Sequence, residues 1–145
     1  LAALGPGEEL LDVARRHGMP EGVDWRLDGG VALHIACHAR AQNMGQKAAE
    51  MLRLIPKADL KVIERCSGHG GSWGVMAENF ETALKVGKPV AQQAARAGKT
   101  YVASECPLAG AHVIQGMERL GGEVAPPAES LHPIEILARA MGLSY

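Results

Sequence analysis

An α/β fold, a small parallel sheet of βα units with helices on both faces, is predicted by three features of the amino-acid sequence. A short apolar run followed by a helically spaced stretch recurs three times between Val31 and Leu120. Glycines and prolines punctuate the ends of those stretches. Each of the three cysteines, Cys37, Cys66 and Cys106, falls just beyond an apolar run and just before the next helical stretch. Strand and helix alternating in this way imply parallel pairing through right-handed crossovers.

The chain has 145 residues, a length that suits one domain. Glu8 to Arg16 reads as a short helix with acids early and bases late, in keeping with the helix dipole. Gly18 and Pro20 end it, and Asp28-Gly29-Gly30 is a turn signal. Val31–Ala36 is the first strand. Gln42 to Leu54 carries Met44, Ala48, Met51 and Leu52 at helical spacing and stops before Pro56. Leu60–Ile63 is the second strand. A glycine-rich turn, Gly68-His69-Gly70-Gly71-Ser72-Trp73-Gly74, leads into a helix over 75–86. Gly87 and Pro89 are expected to break or kink that helix, with a further helical stretch over 90–97. Thr100–Ala103 is the third strand. Pro107 stands where a first helical turn tolerates proline, and that helix runs to about Leu120. A loop containing Pro126-Pro127 follows, and His132-Pro133 opens a last helix to Met141.

Composition narrows the classes of function. A formal charge of −1 leaves no electrostatic footprint for nucleic acid, and aromatics make up only 3% of the chain, too few for base-stacking platforms. No apolar run approaches the roughly 18 residues of a membrane span, and no signal-peptide pattern opens the sequence. The first residue is Leu, so the chain is expected to be part of a longer protein. Three cysteines cannot pair off completely as disulfides, which points to a reducing, cytoplasmic compartment and to metal or thiol chemistry.

Three parallel strands would deliver the three thiols to one edge of the sheet, where ligands bind in such folds. The following helices would aim backbone N–H groups at that edge, which favours thiolates and bound anions. Thiolates select iron–sulfur clusters, zinc or copper(I). Three buried structural cysteines are the equally weighted alternative. Other chemistries fit less well. A phosphatase-type loop needs arginine six residues after the cysteine, but Asn43, Ser72 and His112 stand there. Ala109 excludes a thioredoxin pair, and Trp73 breaks the dinucleotide glycine pattern. A Cys66–His69 couple remains a third option, as a catalytic dyad. His38 and His69 lie near the cysteines and are the candidates for a fourth ligand. Gly68, Gly70 and Gly71 would let the backbone pass close to a bound group, with Trp73 packed over it. His34, inside a strand, reads as structural, and His132 as a helix cap.

The segments His34-Ile-Ala-Cys37-His38-Ala-Arg40-Ala-Gln-Asn43, Glu64-Arg-Cys66-Ser-Gly-His69-Gly-Gly-Ser-Trp-Gly74 and Ser104-Glu-Cys106-Pro-Leu-Ala109, closing on His132-Pro133, resemble the cysteine-rich "CCG" domain. That domain occurs in the cysteine-rich subunits of heterodisulfide reductase and of anaerobic glycerol-3-phosphate dehydrogenase. The likeness is to the C-terminal copy in such iron–sulfur oxidoreductases. It divides the chain into a helical lead-in or linker over 1–30 and the cysteine-rich domain over 31–145. The family pattern is a lone Cys, then Cys-Cys-Gly, then C-x-x-C. Cys37 matches the lone Cys, Cys66 the first of Cys-Cys-Gly, and Cys106 the first of C-x-x-C; Ser67 and Ala109 stand where the other two would be. The resemblance implies an iron–sulfur cluster, in this case a [4Fe-4S] cubane on three thiolates with one open or non-cysteine position. A large noncubane cluster on five thiolates does not suit this sequence. Zinc held by three cysteines and a histidine is the rival at the same site. The resemblance also implies electron transfer as a domain or subunit of a larger oxidoreductase rather than an enzyme alone. Its partners would be ferredoxin-like, flavoprotein or second cysteine-rich domains, and membrane association would come only through them. An interaction domain that keeps the fold after losing cluster ligands is the non-metal alternative.

Overall fold

A computed structural model describes residues 6–41 and 46–143, with the backbone alone at 6–8 and 38. The α-helices and strands among the described residues are α1 (Pro6–His17), β1 (Val31–His34), α2 (Cys37–Ala41), α3 (Lys47–Arg53), β2 (Leu60–Ile63), α4 (Phe80–Ala97), β3 (Tyr101–Ser104), α5 (Pro107–Leu120) and α6 (Pro133–Ala140). The three strands form a parallel sheet in the order β2-β1-β3. In register, His34 stands level with Ile63 on one side and Ser104 on the other.

The apolar strands are buried because both faces of the sheet are covered. Side chains alternate along a strand, so Val31 and Leu33 face one way, into a core with Ala49, Met51 and Leu52 of α3 and Ile136, Leu137 and Ala140 of α6. Ala32, Ile63 and Val102 face the other way, onto Val90 and Ala94 of α4 and Val113 and Ile114 of α5. The chain thus crosses from β1 to β2 over one face and from β2 to β3 over the other. The connections diverge at the central strand, which in doubly wound sheets opens a crevice beyond the strand carboxyl ends. α1 packs on α3 and α6 through the buried Leu11.

Several boundaries differ from expectation. The first strand stops at His34, although the Ile35 amide still donates to the Ile63 carbonyl at 3.0 Å. Helix then begins at Cys37 itself rather than at Gln42. Residues 42–45 lie outside the described residues, and α3 covers 47–53. Leu131 adds a parallel bridge to Ala103, which periodicity did not reveal.

The larger correction concerns α4. Residues 75–79 are not α-helical, and Gly87 and Pro89 do not break the helix that follows; it runs unbroken for 18 residues with Pro89 inside. Pro89 lies on the exposed side. There water can serve the carbonyl that proline leaves without a donor. An internal proline costs about 3 kcal/mol. Burial of Leu84 and Val90 alone recovers roughly 1.5–3 kcal/mol each, so tertiary packing overrides the local breaker.

Gly87 has a separate purpose. A Cβ there would lie 2.1 Å from the Ser67 carbonyl oxygen, and a Cβ on Gly68 would lie 2.3 Å from the Ala83 carbonyl oxygen. The loop after β2 therefore rests backbone to backbone on α4, and a side chain on either glycine would push the two apart. Gly87→Ala should lower stability by about 1–3 kcal/mol, the cost of overpacking. At an open helix position the same change would gain roughly 1 kcal/mol. Urea midpoints for Gly87→Ala, beside Lys88→Ala as an exposed control, check this; a stabilised Gly87→Ala would show that the contact is not tight.

Candidate metal centre at the carboxyl edge of the sheet

All three cysteines sit at one edge. Cys37 comes three residues after β1 ends at His34, Cys66 three after β2 ends at Ile63, and Cys106 two after β3 ends at Ser104. Because the strands are parallel, these loops emerge on the same side. None of the three is in a disulfide; Cys37 and Cys66 are exposed and Cys106 is half-buried. Cys106 is also the N-cap of α5, with Pro107 in its first turn.

A buried histidine ties the three loops together. His34 is 1% exposed. Its Nε2 lies 2.8 Å from the Arg65 carbonyl oxygen, one residue before Cys66. The carbonyl can only accept, so Nε2 carries the proton. Nδ1 then accepts from the Ser104 hydroxyl at 3.2 Å, and the Ser104 oxygen accepts from the Cys106 amide at 3.3 Å. One side chain from β1 thereby holds the loops that follow β2 and β3. Burial pushes the His34 pKa below its ordinary value, against the opposing effect of the Arg65 carbonyl. The ring stays neutral, as this tautomer requires.

Two of the sulfurs have polar partners. The Gly68 amide donates to the Cys66 sulfur at 3.4 Å. Burial of the sulfur, and then the charge of Cys66, pushes the Cys37 thiol above its ordinary range. Cys106 faces His69, with Sγ 3.7 Å from Nε2. His69 Nδ1 is 3.2 Å from the Gly71 carbonyl oxygen, so Nδ1 donates there and Nε2 is free to accept from the thiol. The fold of the glycine-rich turn sets this geometry: the Gly74 amide donates to the His69 carbonyl at 2.7 Å, where a Cβ on Gly74 would collide with that same oxygen.

The other expected site residues are distributed unevenly. Gly68 is buried beneath Cys66 against α4, whereas Gly70 and Gly71 are exposed. Trp73 opens a single 3-10 turn and is 43% exposed. The His38 side chain lies outside the described residues. Ser67 and Ala109, which stand at the places of the missing cysteines, are both 1% exposed. His132 caps α6 by accepting from the Ile134 amide, while Glu135 accepts from the His132 amide. The one positioning residue that motif reading missed is Ser104. Its signal was its place level with His34 on the neighbouring strand.

The donor set suits a thiophilic metal: three thiols on one edge, a backbone N–H aimed at one sulfur and an imidazole nitrogen at another. Among the described residues, however, no three His, Cys, Asp or Glu side chains converge as they would around a single ion.

Comparisons with known proteins agree with the motif order. The family described as cysteine-rich domain (CCG) matches residues 31–113. A subunit of the anaerobic glycerol-3-phosphate dehydrogenase of Escherichia coli K12 is 28% identical over 112 residues, covering 77% of this chain and 26% of that protein. Its counterpart in Escherichia coli O157:H7 gives the same figures. The chain thus spans about a quarter of the length of the curated relatives it matches. No solved structure matches.

The depressed His34 pKa carries a pH signature. Unfolded, the ring titrates at about 6.5; folded, it titrates lower. In the window between, the unfolded chain binds a proton that the folded chain does not. The His34 contribution is therefore complete above about pH 6.5 and is lost as pH falls through the folded value. Urea unfolding at about pH 7.5 and pH 5.5 should show a steeper loss for the native sequence than for His34→Gln. Equal losses would remove His34 as the cause.

Proposed function

The chain belongs to the cysteine-rich (CCG) domain family, and on that premise we propose that Cys37, Cys66 and Cys106 hold an iron–sulfur cluster that passes electrons within a larger oxidoreductase. The observation that carries the reading is the common direction of the strands, which brings thiols 29 and 40 positions apart in sequence to one edge. The similar Escherichia coli protein is named as part of a dehydrogenase, which supports a place in an oxidoreductase assembly. Ferredoxin-like, flavoprotein or second cysteine-rich domains are the partners of this reading, and the cytoplasm is its compartment. Among the described residues no helix is long and apolar enough to cross a membrane, in line with membrane contact only through partners.

When bound, such a cluster supplies one-electron chemistry. The residues of the chain hold and tune it. The three thiolates are its ligands. The Gly68 amide, already donating to the Cys66 sulfur, would offset negative charge there and favour the reduced form. His69, beside Cys106, is the candidate for the position that a fourth cysteine would take, with His38 its alternate. Gly70, Gly71 and Trp73 complete the rim. Ser67 and Ala109 supply no thiol, and both are closed off from solvent.

Zinc and a cluster make different demands on the spacing of the donors. A single zinc ion needs all its ligands within about 2.0–2.3 Å of one point. A cluster places several atoms between its ligands, so the thiols need not converge.

Anaerobic reconstitution with iron and sulfide should load about four iron and four acid-labile sulfide per chain, the stoichiometry of a cubane. Cys37→Ala, Cys66→Ala and Cys106→Ala should each cut loading by more than about half, since a cubane is held by its thiolates. His69→Gln should retain iron but shift the reduction potential. Zinc bound at one per chain without sulfide would replace the cluster by a Cys3His site, and unchanged loading in all three cysteine variants would end the reading.

A further inference from the structure

The two edges of the sheet are finished differently. Beyond β3, the Leu131 amide donates to the Val102 carbonyl at 3.0 Å, and the Leu131 carbonyl accepts from the Ser104 amide at 3.1 Å. Beyond β2, no strand or bridge follows among the described residues. The Val31 amide donates to the Asp59 carbonyl and the Ile35 amide to the Ile63 carbonyl. Both backbone groups of a residue point the same way in a parallel ladder. Lys61 and Ile63 therefore turn theirs to β1, and Leu60 and Val62 turn theirs outward. Those outward groups meet no backbone partner among the described residues. Such a row is a template for another strand.

The surroundings of this edge are selective. A hollow of about 580 Å³ lies between β2 and the end of α4, lined by Asp59, Lys61, Gln93, Arg96 and Lys99 among others. Lys99 is paired with Asp59 at 2.6 Å. Glu64, just past the strand, accepts from the Gln46 side-chain amide at 3.1 Å. Lys61 and Arg96 are exposed and have no acidic partner among the described residues. On the opposite face of the sheet, Leu60 and Val62 are half-buried against the core that includes α3 and α6. A strand laid along β2 alternates its side chains between these two faces. Acidic groups suit the side of Lys61 and Arg96, and apolar groups suit the side of Leu60 and Val62. A second copy of this chain does not meet that demand. Pairing β2 with β2 across a two-fold axis would bring the Lys61 and Arg96 of both copies to one face, like charge beside like charge.

We propose that the outer edge of β2 takes up an extended segment of a partner polypeptide in which acidic and apolar residues alternate, added as a fourth strand to the three-stranded sheet. Main-chain hydrogen bonds to Leu60 and Val62 supply affinity, and the alternation supplies selectivity. β2 contains neither proline nor glycine, which would bar or weaken pairing. A lysine on an edge strand by itself guards against pairing. Arg96, brought to the same hollow from α4, makes Lys61 one of two cations that an acidic segment can neutralise. The inference does not rest on the cysteines or on a metal.

The test titrates the full isotope-labelled chain with a short blocked peptide of alternating glutamate and valine, and with one of alternating lysine and valine, and follows backbone amides by NMR. The glutamate peptide should move the Leu60 and Val62 amide resonances and slow their hydrogen exchange. Its affinity should exceed that of the lysine peptide by at least about tenfold, since two opposite-charge contacts become like-charge ones. Lys61→Glu combined with Arg96→Glu should reverse that preference. A glutamate peptide methylated on all its amide nitrogens should not bind, which separates strand addition from charge attraction alone. No binding of either peptide, equal binding of both, shifts confined to residues away from β2, or a dimer of the chain joined through β2 would each overturn the proposal. The comparison of peptides on the native chain decides it even if the variant fails to fold. None of these readouts involves iron, so failure here and failure of the cluster reading give different results.

Discussion

The chain segments that follow β2 and β3 are held to the end of β1 because His34 is buried between them and has both ring nitrogens engaged. A buried polar group left without partners costs about 1–3 kcal/mol. The loops before Cys66 and Cys106 are therefore constrained to the positions that satisfy this ring. The constraint is directional as well as energetic. Only the tautomer protonated at Nε2 fits the Arg65 carbonyl, and only then can the Ser104 hydroxyl point its proton inward and leave its oxygen for the Cys106 amide. The sheet supplies the level arrangement of His34 and Ser104, and the histidine converts that register into a fixed distance between thiol-bearing loops.

The second support is steric. The loop carrying Cys66 lies on α4 with no side chain between the two backbones, since Gly68 and Gly87 face each other across the contact. This packing makes α4 a single long helix despite Pro89, because the helix must present Ala83 and Gly87 to the loop while burying Val90 and Ala94 on the sheet. A cost is visible nearby. Ser67 Oγ and His112 Nε2 are buried without a hydrogen-bond partner among the described residues, and both residues flank Gly87. Close backbone approach leaves little room to turn either group toward a partner.

The two supports act on different atoms of the same loop. His34 holds the backbone just before Cys66, and α4 holds it just after, at Ser67 and Gly68. Cys66 is left at the exposed crest between them, with its sulfur receiving the Gly68 amide. A loop held on both sides presents that sulfur at the carboxyl edge in a fixed place.

Much of this was legible along the chain. The second strand was placed at its observed ends, α5 was read from Pro107 to Leu120, and His132 was read as a cap. These features rest on local rules: apolar runs, proline in a first helical turn, and side chains that reach their own backbone. The order of cysteines, glycines and histidines also marked the family. Legibility ended where distant segments meet. Gly87 against Ser67 and Ser104 beside His34 are each unremarkable among their sequence neighbours, and each acquires its purpose from a partner at least 20 residues away, while Pro89 stays inside α4 because its neighbours Leu84 and Val90 are buried. Local preference is worth about a kcal/mol per residue, while a buried side chain or an unpaired polar group is worth more. Composition and spacing thus established the three strands, most of the helices and which atoms could do chemistry. The approach of Cys106 to His69, and the hold of His34 on the Arg65 carbonyl and Ser104, came from packing, because contacts across the sheet outweigh the preferences written along it.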